Sequence, residues 1–313
     1  MNEWGRLRKP FFFMTGFDGL EWVVTEPERL EDESVRLSMP GFSTGKKKRA
    51  GGPFRFDREP VTRERYSKAF SRVMRAITRG DTFLLNLTFP TRLFTGLSLD
   101  EIFDRAEAPF LLKYKDEFIC FSPEPFVRIT GTTISSFPMK GTIDASAEDA
   151  EQRLLSNPKE LGEHYTIVDL IRNDLNRVAK RVKVERFRYV ERVRTNRREL
   201  LQTSSHISGE TGENWPERVG DILAELLPAG SVTGAPKPKT VEIIREAEGY
   251  ERGWFTGVFG IFDGASLQSA VMIRFIEKQK DGLVFKSGGG ITCFSKEKEE
   301  YEEMVNKVYL PFS

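Results

Sequence analysis

The sequence predicts an α+β fold in which antiparallel strands come in groups of two or three between helices. Two kinds of segment support this prediction. Apolar residues recur at helical spacing in some segments, and short apolar runs bounded by turn residues make up the others. Grouped strands are typical of antiparallel sheet, whereas regular alternation of strand and helix would indicate a doubly wound parallel sheet. No low-complexity segment or short-period repeat interrupts the pattern.

The N-terminal region predicts a strand hairpin followed by a weakly patterned loop. Residues 11–17 and 20–24 flank the turn signal Asp18-Gly19, and the stretch after the hairpin is rich in Gly, Lys, Ser and Pro. We therefore expect residues 1–60 to form a short strand and loop extension that adds strands to one edge of the fold. Residues 61–313 then form the main domain.

The elements of the main domain follow from periodicity and capping. Thr62 can cap the first long helix and Gly80 ends it, while the strongest helical pattern covers residues 158–178. Further helices are predicted at residues 147–155, 215–226, 238–247 and 296–309. Strands are predicted at residues 83–89, 110–114, 117–122, 127–130, 132–136, 182–193, 200–208, 254–263, 267–277 and 283–288.

The composition excludes several classes of protein. The chain has 313 residues and a formal net charge of +1, so nothing indicates a nucleic-acid partner. Cys120 and Cys293 lie far apart without CxxC spacing, which argues against a disulfide scaffold and a zinc site. No apolar stretch approaches the length that spans a bilayer, so we expect no membrane partner and a cytoplasmic location.

Two predicted helices each carry a pair of glutamates. Glu160 and Glu163 are three residues apart, as are Glu300 and Glu303, and this spacing puts each pair on one side of its helix. Four such carboxylates can hold a hard divalent cation such as Mg²⁺. Glutamates at helical spacing are more often a solvated face, so the spacing alone leaves both interpretations open.

Three turn-like segments are suited to binding an anion or carrying a nucleophile. Gly288, Gly289 and Gly290 follow a predicted strand, where backbone N–H groups can approach a carboxylate or phosphate. Thr233 lies in a Gly-rich turn before a predicted helix. Lys140 lies in a turn predicted after a strand, and a lysine amine can act as a nucleophile. On spacing alone, an ordinary turn is the more frequent explanation of each segment.

These segments occur together with further motifs, in a fixed order. The motifs are SPEPF (122–126), PMKGT (138–142), KELGEHYTIVDLIRNDLNRV (159–178), GSVTGAPK (230–237), RGWFTGVFGIFDG (252–264), SGGGI (287–291) and EYEEMVNK (300–307). In this combination the chain resembles the chorismate-utilising enzymes, a family that includes anthranilate, isochorismate, salicylate and aminodeoxychorismate synthases. The resemblance implies a four-layer α/β/β/α core with two orthogonally packed antiparallel sheets. It makes residues 61–313 a chorismate-binding catalytic domain.

The resemblance also assigns roles to individual residues. It implies that Glu163 and Glu303 bind Mg²⁺ directly with Glu160 and Glu300 in support. Glu124 matches the acid that assists loss of the C4 hydroxyl group of chorismate. The remaining implied groups are Thr233 for catalysis and Arg274, Lys307, Phe255, Gly288, Gly289 and Gly290 for substrate binding. Chorismate is a dianion, so cations and backbone N–H groups are the surroundings that it requires.

Lys140 distinguishes among the reactions of the family. It lies where aminodeoxychorismate synthases carry lysine and anthranilate synthases carry alanine, and Leu84 falls where the water-using synthases place a lysine base. The resemblance thus implies attack of Lys140 on C2 of chorismate with loss of the C4 hydroxyl group. Ammonia then attacks C4 and expels the lysine. The implied product, 4-amino-4-deoxychorismate, keeps its enolpyruvyl group and leads to p-aminobenzoate and folate.

Two positions depart from the family pattern, and the first is Phe255, which lies where relatives often have tyrosine. Counting back from Ser205 puts Gln202 where the family usually has histidine, and we retain Gln202 as a catalytic candidate because glutamine can still hydrogen bond to substrate. His206 then falls outside the site. The chain has no glutaminase-like nucleophile context, so ammonia is expected from a separate glutamine amidotransferase subunit. The alternatives are an anthranilate synthase, which Lys140 disfavours, and a catalytically idle binding subunit, which the glutamates disfavour.

Overall fold

The computed structural model describes residues 1–48, 51–194 and 199–312. Its helices are α1 (Asn2–Arg6), α2 (Arg63–Arg79), α3 (Leu99–Arg105), α4 (Ala150–Ser156), α5 (Pro158–Val178), α6 (Val219–Leu226), α7 (Lys237–Glu248) and α8 (Glu297–Asn306). Its first strands are β1 (Phe11–Thr15), β2 (Trp22–Thr25), β3 (Val35–Met39), β4 (Phe42–Ser43), β5 (Asp57–Glu59), β6 (Leu84–Phe94), β7 (Phe110–Tyr114), β8 (Phe118–Ser122) and β9 (Pro125–Thr130). The later strands are β10 (Thr133–Ser136), β11 (Met139–Asp144), β12 (Lys180–Arg194), β13 (Glu199–Glu210), β14 (Gly234–Ala235), β15 (Val258–Phe262), β16 (Leu267–Val271), β17 (Phe275–Gln279) and β18 (Gly282–Ile291).

The chain divides into two compact units, and each contains one sheet. The first unit comprises Met1–Pro27, Glu124–Ser231 and Gly257–Val271, and the second comprises Glu28–Pro123, Val232–Thr256 and Met272–Ser313. The division into an N-terminal extension of residues 1–60 and a catalytic domain of residues 61–313 stays a prediction. Among the described residues, no helix is both long enough and apolar enough to cross a membrane.

Both sheets are antiparallel, which confirms the predicted α+β class. In the first unit the strand order is β11-β13-β10-β9-β16-β15-β1-β2, with β12 also paired to β13. In the second unit it is β14-β6-β18-β17-β8-β7-β3-β4, with β5 also paired to β6. The predicted N-terminal hairpin forms as β1 and β2. The expectation that the N-terminal region extends one edge was incomplete, because β3 and β4 also extend the second sheet.

Two helices form as their capping residues predict. The Thr62 hydroxyl accepts a hydrogen bond from the backbone N–H of Arg65 (3.4 Å), and Gly80 ends α2 in the left-handed region with a φ of 81°. Tyr66 and Val73 lie on the buried face of this helix. Helix α5 has the predicted bounds, residues 158–178.

Two predicted strands were wrong in their extent, and left-handed residues explain both errors. The strand predicted at residues 254–263 begins only at Val258, because Thr256 has a φ of 65°. The strand predicted at residues 267–277 is two strands in different sheets, and Arg274 between them has a φ of 52°. Neither residue is a glycine, so the sequence carried no turn signal at these positions.

Candidate active site

In the second unit, two carboxylates converge on a strand glycine. Helix α8 packs on β18, and a side chain built on Gly289 would place its Cβ 3.3 Å from Glu303 Oε1 and 3.5 Å from Glu300 Oε2. Glu300 is buried although its side chain is polar. The missing side chain thus leaves a space bordered by carboxylate oxygens, and the predicted shared face of Glu300 and Glu303 is confirmed.

The charge of these carboxylates affects their surroundings. Burial first, and then the charges of Glu300 and Glu303, raise the pKa of the Tyr66 phenol. Lys307 offsets part of this negative charge, because its Nζ lies 2.6 Å from Glu303 Oε1 and donates a hydrogen bond to the Gly288 carbonyl at 2.8 Å. Lys307 therefore contacts the glycine run, with which it was predicted to share a substrate.

The glycine run lies inside β18 instead of in a turn after it, which corrects the sequence prediction. Gly288 opposes Thr88 and Gly290 opposes Asn86 on β6. The backbone N–H of Asn86 bonds to the Thr233 carbonyl, and that of Thr88 bonds to a side chain, so both point away from β18. Opposed residues of an antiparallel pair share one orientation, and Gly288 and Gly290 therefore also turn their N–H groups away from β6.

The edge to which these N–H groups point is not covered by the next strand. β17 pairs with β18 only as far as Lys286, which opposes Phe275. Beyond that point, the N–H groups of Gly288 and Gly290 are oriented to donate to an anion. The sequence did not indicate this geometry, and the substrate-binding role of the glycines stays a prediction.

Three further predicted substrate residues belong to the second unit. Arg274 is half-buried, and its Nε is buried without a hydrogen-bond partner among the described residues. Phe255 is buried, and its ring lies 5.8 Å from that of Phe275. Thr233 is buried too, with its carbonyl holding the Asn86 N–H. An unpartnered guanidinium nitrogen favours a bound anion, because a buried donor without an acceptor is costly.

An ion pair that the sequence analysis missed lies beside these residues. Arg252 and Glu248 are both almost completely buried, and Arg252 Nη2 lies 2.6 Å from Glu248 Oε1. The backbone N–H and the hydroxyl of Thr88 each donate to the same carboxylate at 2.8 Å. The spacing of four residues resembles an exposed helix pair, so the sequence gave no reason to expect burial.

Arg252 uses its other nitrogens to tie three segments together. Its guanidinium donates to the Val232 carbonyl (2.9 Å), the Asn86 carbonyl (2.7 Å) and the Thr256 hydroxyl (3.2 Å). Val232 precedes Thr233 in the GSVTG segment. We call Arg252 and Glu248 the buried clamp, because together they fix the backbone around the predicted substrate residues.

In the first unit, Lys140 lies in β11 and not in a turn, which corrects the sequence prediction. β11 pairs with β13, and the register shifts between Lys140 and Thr142, so that Gly141 with a φ of 76° forms an irregularity in the strand. A Cβ on Gly141 would lie 3.0 Å from Glu160 Oε2. The residue after Lys140 therefore lies beside Glu160, one of the predicted metal ligands.

His164 forms a buried network to which the sequence analysis gave no role. Its Nε2 lies 2.6 Å from the Ser205 hydroxyl, which also accepts a hydrogen bond from the backbone N–H of Arg188 at 2.8 Å. Burial, together with the charges of Arg188 and Lys140, lowers the pKa of His164 to about 4. His164 is therefore a neutral imidazole near pH 7.

Arg188 joins this network to the end of α4. Its guanidinium donates to the carbonyls of Leu154 (2.8 Å) and Leu155 (2.5 Å) near the end of α4. Arg188 occupies an irregularity of β12 with a φ of 46°. The sequence offered no signal for Arg188 or Ser205, since both look like ordinary polar residues of a half-exposed strand.

The remaining predicted residues of the first unit are less closely grouped. Gln202 opposes Thr142 of β11 and Glu191 of β12, whereas Lys140 opposes Thr203. Gln202 and Thr203 are neighbours along a regular strand, so their side chains point to opposite faces. Glu163 is mostly buried on α5, and the Glu124 carbonyl accepts a hydrogen bond from Val271 N–H (3.1 Å) at the start of β9. The catalytic roles of Gln202 and Glu124 and the role of Glu163 as a metal ligand stay predictions.

The carboxylates have suitable chemistry for Mg²⁺. Hard divalent cations prefer carboxylate oxygens, and the space at Gly289 is bordered by two of them. Within the described ranges, however, no group of three or more His, Cys, Asp or Glu side chains is close enough to form a metal centre as it stands. Mg²⁺ binding therefore stays a prediction.

Comparison with known proteins places these features in a family. The family model of the chorismate binding enzymes matches residues 18–312. A PabA-like protein of Pasteurella multocida is 47% identical over 312 residues, covering 99% of this chain and 96% of the relative. Aminodeoxychorismate synthase component 1 of Bacillus subtilis is 31% identical over 267 residues, covering 80% of this chain and 55% of the relative.

A solved structure supports the fold. The crystal structure of DhbC from Bacillus anthracis has a TM-score of 0.71 and 21% sequence identity, covering 98% of this chain and 87% of that one. The chain belongs to the family of chorismate binding enzymes. The resemblance inferred from the motifs is therefore confirmed.

Proposed function

We propose that the protein is the synthase subunit of an aminodeoxychorismate synthase, which converts chorismate and ammonia to 4-amino-4-deoxychorismate for p-aminobenzoate and folate synthesis. Membership of the chorismate binding enzymes supports the substrate. The B. subtilis relative that is 31% identical carries this activity in its name.

Lys140 is the observation that carries this proposal. Its strand lies beside Glu160, and its charge contributes to lowering the pKa of His164. A lysine amine in this position can attack a bound ring, whereas the alanine expected in an anthranilate synthase cannot.

The proposed reaction divides into two displacements. The Lys140 amine bonds to C2, both ring double bonds shift toward C4, and the C4–O bond breaks so that the hydroxyl group leaves as water with a proton from Glu124. Ammonia then bonds to C4, both double bonds shift back, the C2–N bond breaks to release the Lys140 amine, and the new ammonium group at C4 returns a proton to Glu124. The net change replaces the C4 hydroxyl group with an amino group and releases one water.

The other predicted residues bind and orient the substrate. Arg274, Lys307 and the N–H groups of Gly288 and Gly290 would hold carboxylates, and Phe255, Thr233 and Gln202 would contact the ring. Mg²⁺, held by Glu163 and Glu303 with Glu160 and Glu300 in support, would neutralise the substrate's negative charge.

Ammonia is proposed to come from a separate glutamine amidotransferase subunit. The PabA-like name of the P. multocida relative supports an association of this protein class with p-aminobenzoate synthesis. The purified chain should accordingly use ammonium salts and leave glutamine unchanged. Glutamate released from glutamine by the purified chain would contradict this part of the proposal.

Product analysis tests the proposal directly. The purified chain is incubated with chorismate, Mg²⁺ and ammonium, and the product is identified by mass and by its conversion to p-aminobenzoate with a lyase. We expect 4-amino-4-deoxychorismate. Anthranilate as the product would show that the chain is an anthranilate synthase instead.

A further inference from the structure

One polar residue at the centre of the second sheet has no role in the preceding mechanism. Asn86 lies in β6 directly opposite Gly290. Its neighbours Leu85 and Leu87 are fully buried, whereas Asn86 is half-buried. Among the described residues, its side-chain amide has no hydrogen-bond partner. A polar side chain that interrupts an apolar strand without a protein partner is suited to binding a ligand.

The backbone of Asn86 is fixed on both sides. Its N–H donates to the Thr233 carbonyl at 2.9 Å, and its carbonyl accepts from Arg252 Nη2 of the buried clamp at 2.7 Å. The clamp is itself held by the ion pair with Glu248. The amide of Asn86 therefore projects from a backbone that cannot shift easily, which is the requirement for a preorganised binding group.

The side chain of Asn86 lies on the face of the sheet to which side chains at Gly288 and Gly290 would point. A Cβ on Gly288 would collide with the Thr88 side chain at 2.7 Å, so the missing side chain of Gly288 lies on the Thr88 face. Asn86 and Thr88 are two residues apart and point to this same face, as does the missing side chain of Gly290. No side chain of Gly288 or Gly290 covers the amide.

We propose that Asn86 is a further substrate-binding residue, whose side-chain NH₂ donates a hydrogen bond to a carboxylate oxygen of the bound dianion. This inference rests on the proposed use of chorismate. The amide supplies a donor without adding a charge, and the adjacent N–H groups of Gly288 and Gly290 provide donors to the same kind of ligand. Asn86 thus extends the set of substrate-binding groups from β18 to β6.

The test compares chorismate binding by calorimetry in the presence of Mg²⁺ for the wild-type chain, Asn86→Ala and Asn86→Asp. Losing one hydrogen bond to a carboxylate should weaken binding roughly 10-fold in Asn86→Ala. Asn86→Asp should weaken it more than roughly 100-fold, because the donor is replaced by an anion that repels the ligand. Asn214→Asp, an exposed residue of the first unit, controls for the added charge and should bind like wild type.

The outcomes separate this inference from the proposed function. Thermal unfolding should be nearly unchanged in Asn86→Ala, because the removed amide bonds to no described residue. Weaker binding with unchanged unfolding supports the proposal. Equal binding by wild type, Asn86→Ala and Asn86→Asp overturns it while leaving the proposed function intact. A wild-type chain that fails to bind chorismate contradicts the proposed substrate and overturns the inference with it.

Discussion

Each unit places a helix glutamate beside a strand glycine, one in the first unit and two in the second, but the surroundings of the two glycines differ. In the first unit, a Cβ on Gly141 would lie 3.0 Å from Glu160. In the second unit, a Cβ on Gly289 would lie 3.3 Å from Glu303 and 3.5 Å from Glu300. In both units, the glycine has no side chain, and this leaves space beside a carboxylate.

The groups around the two glycines have different chemistry. Lys140 is the strand neighbour of the first, and the same unit contains the buried, neutral imidazole of His164. Beside the second, Lys307 donates to the Gly288 carbonyl, and the buried clamp of Arg252 and Glu248 holds the backbone of Asn86, which opposes Gly290. We infer that the first unit determines which reaction occurs, whereas the second unit determines whether the dianion binds.

The largest expected effect concerns Lys140. Lys140→Ala should reduce C4 amination by roughly 10³-fold or more, because the nucleophile is lost, and should leave chorismate binding within a few-fold of wild type. Lys183→Ala, which removes an exposed lysine of the same unit, is the control. Amination rates and calorimetric binding are measured on the same preparations. If Lys140→Ala lost chorismate binding and kept its amination rate, the inferred division between a reacting first unit and a binding second unit would be wrong.

The second effect concerns the carboxylates at Gly289. Glu303→Gln should reduce turnover by roughly 100-fold or more, and raising the Mg²⁺ concentration should restore part of it, because a charged metal ligand is lost. Glu302→Gln changes the neighbouring exposed residue and should have no effect. Turnover is measured over a range of Mg²⁺ concentrations. Equal Mg²⁺ dependence in all three proteins would exclude Glu303 as a ligand.

The third effect concerns the buried clamp. Glu248→Gln should lower the free energy of unfolding by about 3 kcal/mol, because it leaves the Arg252 charge buried without its counter-ion. Glu246→Gln, on the same helix but exposed, should change it by less than about 0.5 kcal/mol. Denaturant unfolding monitored by circular dichroism compares them. An equal decrease of the free energy of unfolding in both variants would mean that the Arg252–Glu248 ion pair makes no particular contribution to stability.

The smallest effect concerns the pH dependence of stability through His164. Its folded pKa of about 4 lies below the unfolded value of about 6.5, so the unfolded chain takes up the proton first as the pH falls. The associated stability is complete above pH ~6.5 and declines as the pH falls toward 4. Between pH 7 and 5 His164 should account for a loss of about 2 kcal/mol.

This loss can be isolated by substitution. Unfolding is measured without added metal at both pH values for wild type, His164→Gln and His206→Gln. His164→Gln should lack the loss, and His206→Gln should retain it. If wild type and His164→Gln show the same pH dependence, then His164 is not buried as a neutral group.

Local signals predicted the regular parts of the fold. The Thr62 cap and Gly80 gave the bounds of α2, and the apolar periodicity gave those of α5. The sequence missed positions where a residue with positive φ interrupts a strand pattern without a glycine, as at Thr256 and Arg274. Such backbone conformations depend on contacts from distant segments, for instance the bond from Thr256 N–H to the Met272 carbonyl (2.8 Å).

The candidate site shows the same division. Motifs identified Lys140 and the four glutamates, because a local pattern carries them. Asn86, Arg252 and His164 received no role, since their significance depends on burial and on partners far away in the sequence. Residue type alone cannot distinguish a buried ion pair from a surface pair with the same spacing.

The most direct measurement is mass spectrometry of a reaction quenched during turnover. Wild-type protein is mixed with chorismate and Mg²⁺, with ammonium limiting, and then digested. We expect the peptide that contains Lys140 to gain the mass of chorismate less one water, and no such gain in Lys140→Ala. Absence of the adduct from wild type, combined with amination by Lys140→Ala at the wild-type rate, would contradict a covalent role for Lys140 and the assignment of the reaction to the first unit.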